Sequence, residues 1–405
     1  MTLWLDAGII FTLLAILVIL FKWGNVQIVG VTPVKTFTFI AILFTSGLDV
    51  GLIMFPLTEF AGYADLKASP EYAFANPLAI EFAYWGFLIW GFYFVTCFYF
   101  CVIEPKVKFF EIPWVKLINN IVIIGTCAFT AFLLLSNLPW YLPAIGDGES
   151  ILPAFYLIVL AAICFAVYSS TDIKYVRFLS IATTWLFIAL IGFMWLGAFM
   201  GSDSQVSAFT DNLALIGSYF GNLNDFVLPL NDYHEFYLFW WFAWSIMIGQ
   251  FTSRFVGGLK TYQLLAAMLI FPSIPIAVWF SVLYQYHEAG IPTDGLKNFA
   301  MAFVGIVFVI NSLDSLIRLY TDNLNMTVKR LGKFNYLALN VVALSLLTLL
   351  FKLDFLQIEW VGALVIGLFF GCGVFIAHSK FKTVSNIDSS PEENKIDYTK
   401  IKSSN

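Results

Sequence analysis

The chain has 405 residues, 60% hydrophobic and only 12% charged, with a mean hydropathy of +0.85 and a formal net charge of −5. A water-facing surface needs more charge than that, so a soluble globular domain is excluded and the chain is expected to live in a bilayer. Crossing the hydrocarbon core takes about 20 mostly apolar residues. Such spans are expected at 7–22, 36–58, 79–103, 115–136, 151–169, 178–200, 234–256, 262–284, 298–317, 334–351 and 358–378, eleven in all. The apolar runs are long and continuous and lack a period of two, so they read as helices and the fold as an all-α integral membrane protein. Residues 207–224 are too polar to span and read as an interfacial helix.

The first span begins Met1-Thr2-Leu3-Trp4-Leu5-Asp6, without a basic leader and with Lys22 on its far side, so it is expected to be retained rather than cleaved. Basic residues gather in or beside alternate loops, and only Lys67, Lys297 and Lys352 fall in the others. The positive-inside rule then places the N-terminus outside and the C-terminus in the cytoplasm of a cell inner (plasma) membrane. Residues 380–405 are rich in Ser, Lys and Glu without apolar periodicity and read as a disordered tail. The cysteines (Cys97, Cys101, Cys127, Cys164, Cys372) and histidines (His234, His287, His378) show no metal-ligand spacing and read as core filler or span-end residues.

The segment Phe236-Tyr237-Leu238-Phe239-Trp240-Trp241-Phe242-Ala243-Trp244 carries three tryptophans in little more than one helical turn and runs on to Gly249, Phe251 and Arg254. At helical spacing Trp240 and Trp244 stack one turn apart and Trp241 meets Trp244, so three π faces share one side. Such a surface suits a quaternary ammonium ion, which electron-rich ring faces hold without a hydrogen-bond donor. The alternatives are an aromatic belt at the lipid headgroups or tight helix packing.

With these residues in view, the chain resembles the betaine/carnitine/choline transporter (BCCT) family. That family's aromatic helix follows the pattern FYWAWWxxW and then GxFxxRxxxG; Phe236, Tyr237, Trp240, Trp241, Trp244, Gly249, Phe251, Arg254 and Gly258 match, while Leu238 replaces the first Trp. Gly47-Leu48-Asp49-Val50-Gly51 with Glu59 resembles the glycine stretch and its trailing Glu. Trp85-Gly86, Trp90 and Tyr93 match WGxxxWxxY, and Pro272-Ser273, Trp279-Phe280 and Ser312-Leu313-Asp314-Ser315 follow in the family's order. Phe21-Lys22-Trp23-Gly24-Asn25 is similar to the end of the family's second span, so the resemblance covers the chain from about residue 10 with the usual first span lacking.

The resemblance implies LeuT-like inverted five-helix repeats at 36–200 and 234–379, a peripheral helix and loop at 1–35, an external segment at 201–233 and the tail at 380–405. It implies secondary active import, as a symporter, of glycine betaine, choline or carnitine by alternating access, with Trp85, Trp90, Tyr93 and Trp241 forming the box and Trp240 and Trp244 lining the path or its wall. Trp85, Trp90 and Tyr93 are expected within one arc of a continuous helix. A coupling sodium is implied at Thr45, Leu48, Phe308 and Ser312, with Asn311 standing where the family has threonine. Asp49, within a span, reads as a proton carrier, a cation ligand, a selector of cationic substrates or a hydrogen-bonded structural group. Asp314 is expected to pair with Arg318 one turn on. Glu59 and Glu81 are expected to be solvated at span ends. No cofactor beyond a coupling Na+ or H+, no nucleic acid and no enzymatic chemistry are expected; a homotrimer is implied. A membrane sensor or scaffold that keeps the fold without transporting is the alternative.

Overall fold

The computed structural model describes residues 1–48, 50–200 and 206–388. Among them, eight helices are long and apolar enough to cross a membrane: Thr2–Trp23, Pro77–Val107, Pro113–Tyr141, Ile173–Phe199, Thr261–Glu288, Leu296–Asn323, Lys333–Lys352 and Ile358–Ser385. The chain is thus a largely helical, multi-pass membrane protein, but the expected count of eleven spans is not reached. The three other expected spans are helical and fall short for different reasons. Thr36–Gly47 ends after 12 residues, because the backbone turns extended at Leu48. Pro153–Ser169 has 17 residues. Asp232–Thr252 has 21, but its polar-tipped Tyr and Trp side chains and the acidic Asp232 and Glu235 lower its apolar character.

We label the elements that position the site α1 (Thr36–Gly47), α2 (Pro56–Ala64), α3 (Pro77–Trp85), α4 (Trp90–Phe98), α5 (Asp232–Thr252), α6 (Ser273–Glu288), α7 (Leu296–Asn323) and α8 (Ile358–Phe375). The tryptophan helix α5 lies at the centre, against α4 on one side and α8 on the other. Glycine makes both approaches possible. A Cβ on Gly249 of α5 would fall 2.0 Å from the Thr96 hydroxyl oxygen of α4, and one on Gly362 of α8 would fall 2.2 Å from the Phe239 carbonyl oxygen of α5. Thr96 then donates to the Ser245 carbonyl at 2.7 Å, tying α4 to α5 across that contact. Such small-residue contacts drive packing where lipid offers no hydrophobic contrast. Helix α7 is the most enclosed of the eight long helices, with 72% of its apolar window buried.

Two helix interruptions shape the site. After Gly47 the chain is extended at Leu48 and resumes as a short turn, Gly51–Met54, before Pro56 opens α2. Between α3 and α4, Gly86 is extended (φ −109°, ψ 169°), and Phe87 occupies the left-handed region at φ 44°, a strained conformation for a bulky residue. Ser273 at the start of α6 accepts the Phe87 amide at 2.9 Å and holds it there.

Among the described residues one short strand pair accompanies the helices: Gln27–Val29 and Gly257–Lys260 pair antiparallel and join two loops on one side of the bundle. Two further expectations are corrected. The segment 207–224 is not a single helix. It is Val206–Leu215 followed by the short turn Gly217–Gly221, with Asn212 bonded to Gln285 of α6 and Tyr219 fully buried against Phe82 of α3. The tail is ordered at its start: Phe381–Ser385 is helical, Lys22 Nζ donates to the Val384 and Ser385 carbonyls, and Trp23 Nε1 donates to the Ile387 carbonyl. Residues 389–405 of that expectation lie outside the described residues.

The packing at Gly249 predicts that Gly249→Val lowers the thermal unfolding midpoint in detergent, equivalent to about 1–3 kcal/mol of overpacking. Gly192→Val, where a Cβ meets nothing within 4 Å, leaves it unchanged. Equal midpoints for the two variants would show that α4 and α5 do not meet at this contact.

Candidate functional site

An interrupted helix leaves carbonyl oxygens without amide partners, and inside a bilayer no water meets them. Side chains do so here. Around the first interruption Tyr93 Oη donates to Gly47 O at 3.0 Å, Ser312 Oγ to Leu48 O at 2.8 Å, and Asn311 Nδ2 to Thr45 O at 3.0 Å. Trp279 Nε1 reaches Leu52 O at 2.9 Å and Tyr141 Oη reaches Met54 O at 2.7 Å. Around the second, Trp241 Nε1 donates to Tyr84 O at 2.7 Å and Trp90 Nε1 to Trp85 O at 3.2 Å. The polar tips of Trp90, Tyr93 and Trp241 therefore anchor those rings to the broken backbone, whereas the indole N–H groups of Trp85 and Trp240 hold no carbonyl.

Those anchors bring most of the expected aromatic residues together. The Trp85 ring lies 5.4 Å from Trp240 and 5.2 Å from Trp241, both edge to face, and Trp240 stacks on Trp241 at 5.0 Å with planes 6° apart. Tyr93 lies 6.4 Å from Trp241 and 5.2 Å from Trp90. Gly47 makes room for the last two, since a Cβ there would stand 3.1 Å from Trp90 and 3.3 Å from Tyr93. All five rings are 0–1% exposed, so the cluster is closed to solvent in this conformation.

Two details of the sequence-based geometry are corrected. Trp240 pairs with its neighbour Trp241 and not with Trp244. Trp244 is buried and, among the described residues, makes no ring contact with the cluster and has no partner for its indole N–H. Nor do Trp85, Trp90 and Tyr93 share one continuous helix, because the break at Gly86 separates Trp85 from the other two. The Trp90–Trp85 bond across that break, and not helical periodicity, sets their relation.

The residues expected around a coupling ion are in contact, as a hydrogen-bonded set. Asn311 donates to Thr45 O and accepts from Ser180 Oγ at 3.1 Å, while Ser312 spans Thr45 O and Leu48 O. Phe308 is buried one turn away, its ring against Phe44 and Phe187. Asp49 lies outside the described residues. Asp314 forms no ion pair with Arg318. It is buried and accepts from Ser169 Oγ at 2.5 Å and Ser315 Oγ at 3.1 Å, while Arg318 donates to the Ser170 carbonyl.

The expectation of solvated glutamates is also overturned. Glu81 is 0% exposed, and Glu59 is half-buried and accepts hydroxyls from Tyr63 at 2.5 Å, Tyr237 at 3.1 Å and Tyr233. Sequence reasoning missed Tyr237 and Phe55 as cluster members: Tyr237 lies 5.7 Å from Trp85 and 5.5 Å from Trp240, and Phe55 lies 6.0 Å from both tryptophans. A signal for Tyr237 existed in its i,i+3 spacing to Trp240. None existed for Phe55, which reaches the cluster only through the first interruption.

Comparison with known proteins shows distant, partial homology to transporters. The chain is 22% identical over 334 residues, 73% of its length, to a protein named glycine betaine transporter 1 from Vibrio parahaemolyticus, of which the match covers 62%. It is 25% identical over 323 residues, 68% of its length, to an uncharacterized transporter from Haemophilus influenzae, of which the match covers 47%. The chain thus spans about half to three fifths of these relatives, which are transporters and not enzymes. No family model matches the chain.

The Tyr93–Gly47 bond predicts that Tyr93→Phe, which leaves the ring and removes the donor, destabilises the protein by about 1–3 kcal/mol, read as a lower midpoint in detergent. A wild-type midpoint would mean that the Gly47 carbonyl has another partner of equal value.

Proposed function

We propose that the chain is a secondary active transporter of a quaternary ammonium compound of the glycine betaine, choline or carnitine type, working by alternating access. The observation that carries this reading is the buried cluster of Trp85, Trp240 and Trp241, with ring centroids 5.0–5.4 Å apart and joined by Tyr93 and Trp90. Such a cluster offers electron-rich faces to a methylated cation that has no proton to donate. Homology to a protein named for glycine betaine supports the same class. The cluster is closed on all sides, so a ligand enters only when α3 and α5 separate. The interruption at Gly86 and the backbone-anchored rings supply a place for that motion.

In this reading the chain forms two inverted repeats of five helices, 36–200 and 234–379, eleven spans in all, with the N-terminus outside, the C-terminus in the cytoplasm and three copies to an assembly. The Thr45 and Leu48 carbonyls, which the family resemblance assigns to sodium, are engaged by Asn311 and Ser312. An amide N–H then stands in for a cation at that place, and transport is sodium-independent. The alternative, a sensor or scaffold without transport, draws on one observation: the polar tips of Trp90, Tyr93 and Trp241 all hold backbone, a purely structural task.

Uptake of radiolabelled choline and glycine betaine into proteoliposomes separates the two. Trp240→Leu is the informative variant, because its indole N–H caps no carbonyl, whereas loss of Trp241 also uncaps Tyr84. Removing one desolvated ring at about 2 kcal/mol predicts roughly thirtyfold weaker binding, with the lipid-exposed Trp185→Leu unchanged. Absence of saturable uptake of either compound by the wild type would leave the scaffold. Replacing sodium by potassium is expected to leave uptake unchanged; sodium-dependent uptake would show that the ion displaces Asn311 from Thr45.

A further inference from the structure

Next to the aromatic cluster lies a carboxyl pair that the transport reading above does not use. Glu81 sits on α3 one turn before Trp85, and Glu59 sits on α2, which packs against α3. Tyr63, which bonds Glu59 at 2.5 Å, also lies beside Glu81, as does Trp85, so the two carboxyls are neighbours across the contact of α2 with α3. Their hydrogen bonding is one-sided. Glu59 takes the hydroxyls of Tyr63, Tyr233 and Tyr237. Neither oxygen of Glu81, which is 0% exposed, accepts a hydrogen bond from any donor among the described residues. Two carboxylates side by side offer each other only acceptors. A single proton between them supplies the missing donor: Glu81 as the acid donates to Glu59, and Glu59 as the anion keeps its three tyrosine hydroxyls.

We propose that Glu81 and Glu59 form a proton-sharing pair whose proton exchanges with the cationic head group in the neighbouring aromatic cluster. This rests on the reading of that cluster as a cation site. The exchange is electrostatic. With the proton present the pair carries one negative charge; with it gone, two negative charges stand beside Trp85 and Tyr237, whose rings form the wall of the cluster. A cation there stabilises the doubly charged pair, and the doubly charged pair binds the cation more tightly. On exchange the proton passes from the Glu81 oxygen to Glu59 and leaves by way of Tyr233, which is 39% exposed.

Among the described residues neither Glu59 nor Glu81 forms an ion pair; the ion pairs there are Lys108–Glu111 and Arg254–Asp322. The other ionisable groups facing the pair are tyrosines: Tyr72 and Tyr84 on one side and Tyr141 on another. His234 of α5 stacks on Tyr84 at 4.6 Å and accepts the Leu230 amide. From α6, Tyr284 and His287 lie against Phe60, with Glu288 beside Tyr284. Glu71 is held by Asn231, Glu235 accepts from Thr2, and Asp211 and Asp232 are exposed.

Two measurements on the full chain in detergent test the pair and the substrate reading separately. Infrared spectroscopy at neutral pH without ligand is expected to show a carboxylic-acid C=O band that Glu81→Gln removes and Asp314→Asn retains. Identical wild-type and Glu81→Gln spectra would overturn the shared proton whatever the substrate is. Titration calorimetry with choline in buffers of different ionisation enthalpy is expected to show about one proton released per choline bound, and affinity rising by up to about tenfold per pH unit while the pair is protonated. In Glu81→Gln both the release and the pH dependence disappear while choline still binds. Choline binding to the wild type without proton release would overturn the exchange. Absence of binding to the wild type would overturn the cation site, and with it the exchange, while the infrared result still decides the shared proton. The wild-type proton count decides the exchange even if Glu81→Gln fails to fold.

Discussion

Everything at the centre of this protein follows from the need to satisfy backbone carbonyls where helices break inside a bilayer. Water is excluded there, so each open carbonyl costs several kcal/mol unless a side chain reaches it. Between Thr45 and Met54 and at Tyr84–Trp85 the donors are tyrosine, tryptophan, serine and asparagine side chains from other helices. Aromatic residues suit this because one end is polar and the rest is a large apolar plate. Fixing the polar end fixes the plate. The ring cluster is thus held in place by the same bonds that make the interruptions tolerable.

That coupling has a dynamic consequence. A cluster anchored to two broken helices cannot open by side-chain rotation alone, since turning Trp241 or Tyr93 away would uncap Tyr84 or Gly47. Opening requires the helices to move with their caps, and Leu48 and Gly86 are where the backbone is already extended. The close contacts of α5 with α4 and α8 at Gly249 and Gly362 define the units that stay together during such a motion. In the transport reading, the carrier's working parts are therefore packed blocks and not single residues.

The carboxyl pair shows how polarity is managed one turn further out. Glu59 is satisfied by three tyrosines, while neither oxygen of the buried Glu81 has a hydrogen-bond partner. An ionisable group in that setting persists where it does something an apolar residue does not. Its position beside Trp85 places any change in its charge next to the rings, in a dry region where electrostatic effects are weakly screened.

Composition alone determined that the chain belongs in a membrane, because 12% charged residues leave too little charge for a soluble surface. The long apolar runs determined the helices, since only an all-helical or closed-barrel backbone satisfies itself in lipid and no alternating pattern was present. The aromatic positions on α3, α4 and α5 were legible as a group through their spacing and the family motif. Which rings touch was not legible. Trp240 faces Trp241 and Trp244 stands apart because the close contacts of α5 with α4 and α8 fix how it packs, and neither contact is a property of local sequence. The burial of Glu81, the hydroxyls around Glu59 and the engagement of Asn311 with Thr45 were likewise decided only by tertiary structure. Apart from Tyr63, one turn from Glu59 on the same helix, these depend on residues more than 20 positions apart meeting across helices, where hydrogen-bond partners and not residue type determine whether a polar group is solvated, structural or poised to bind.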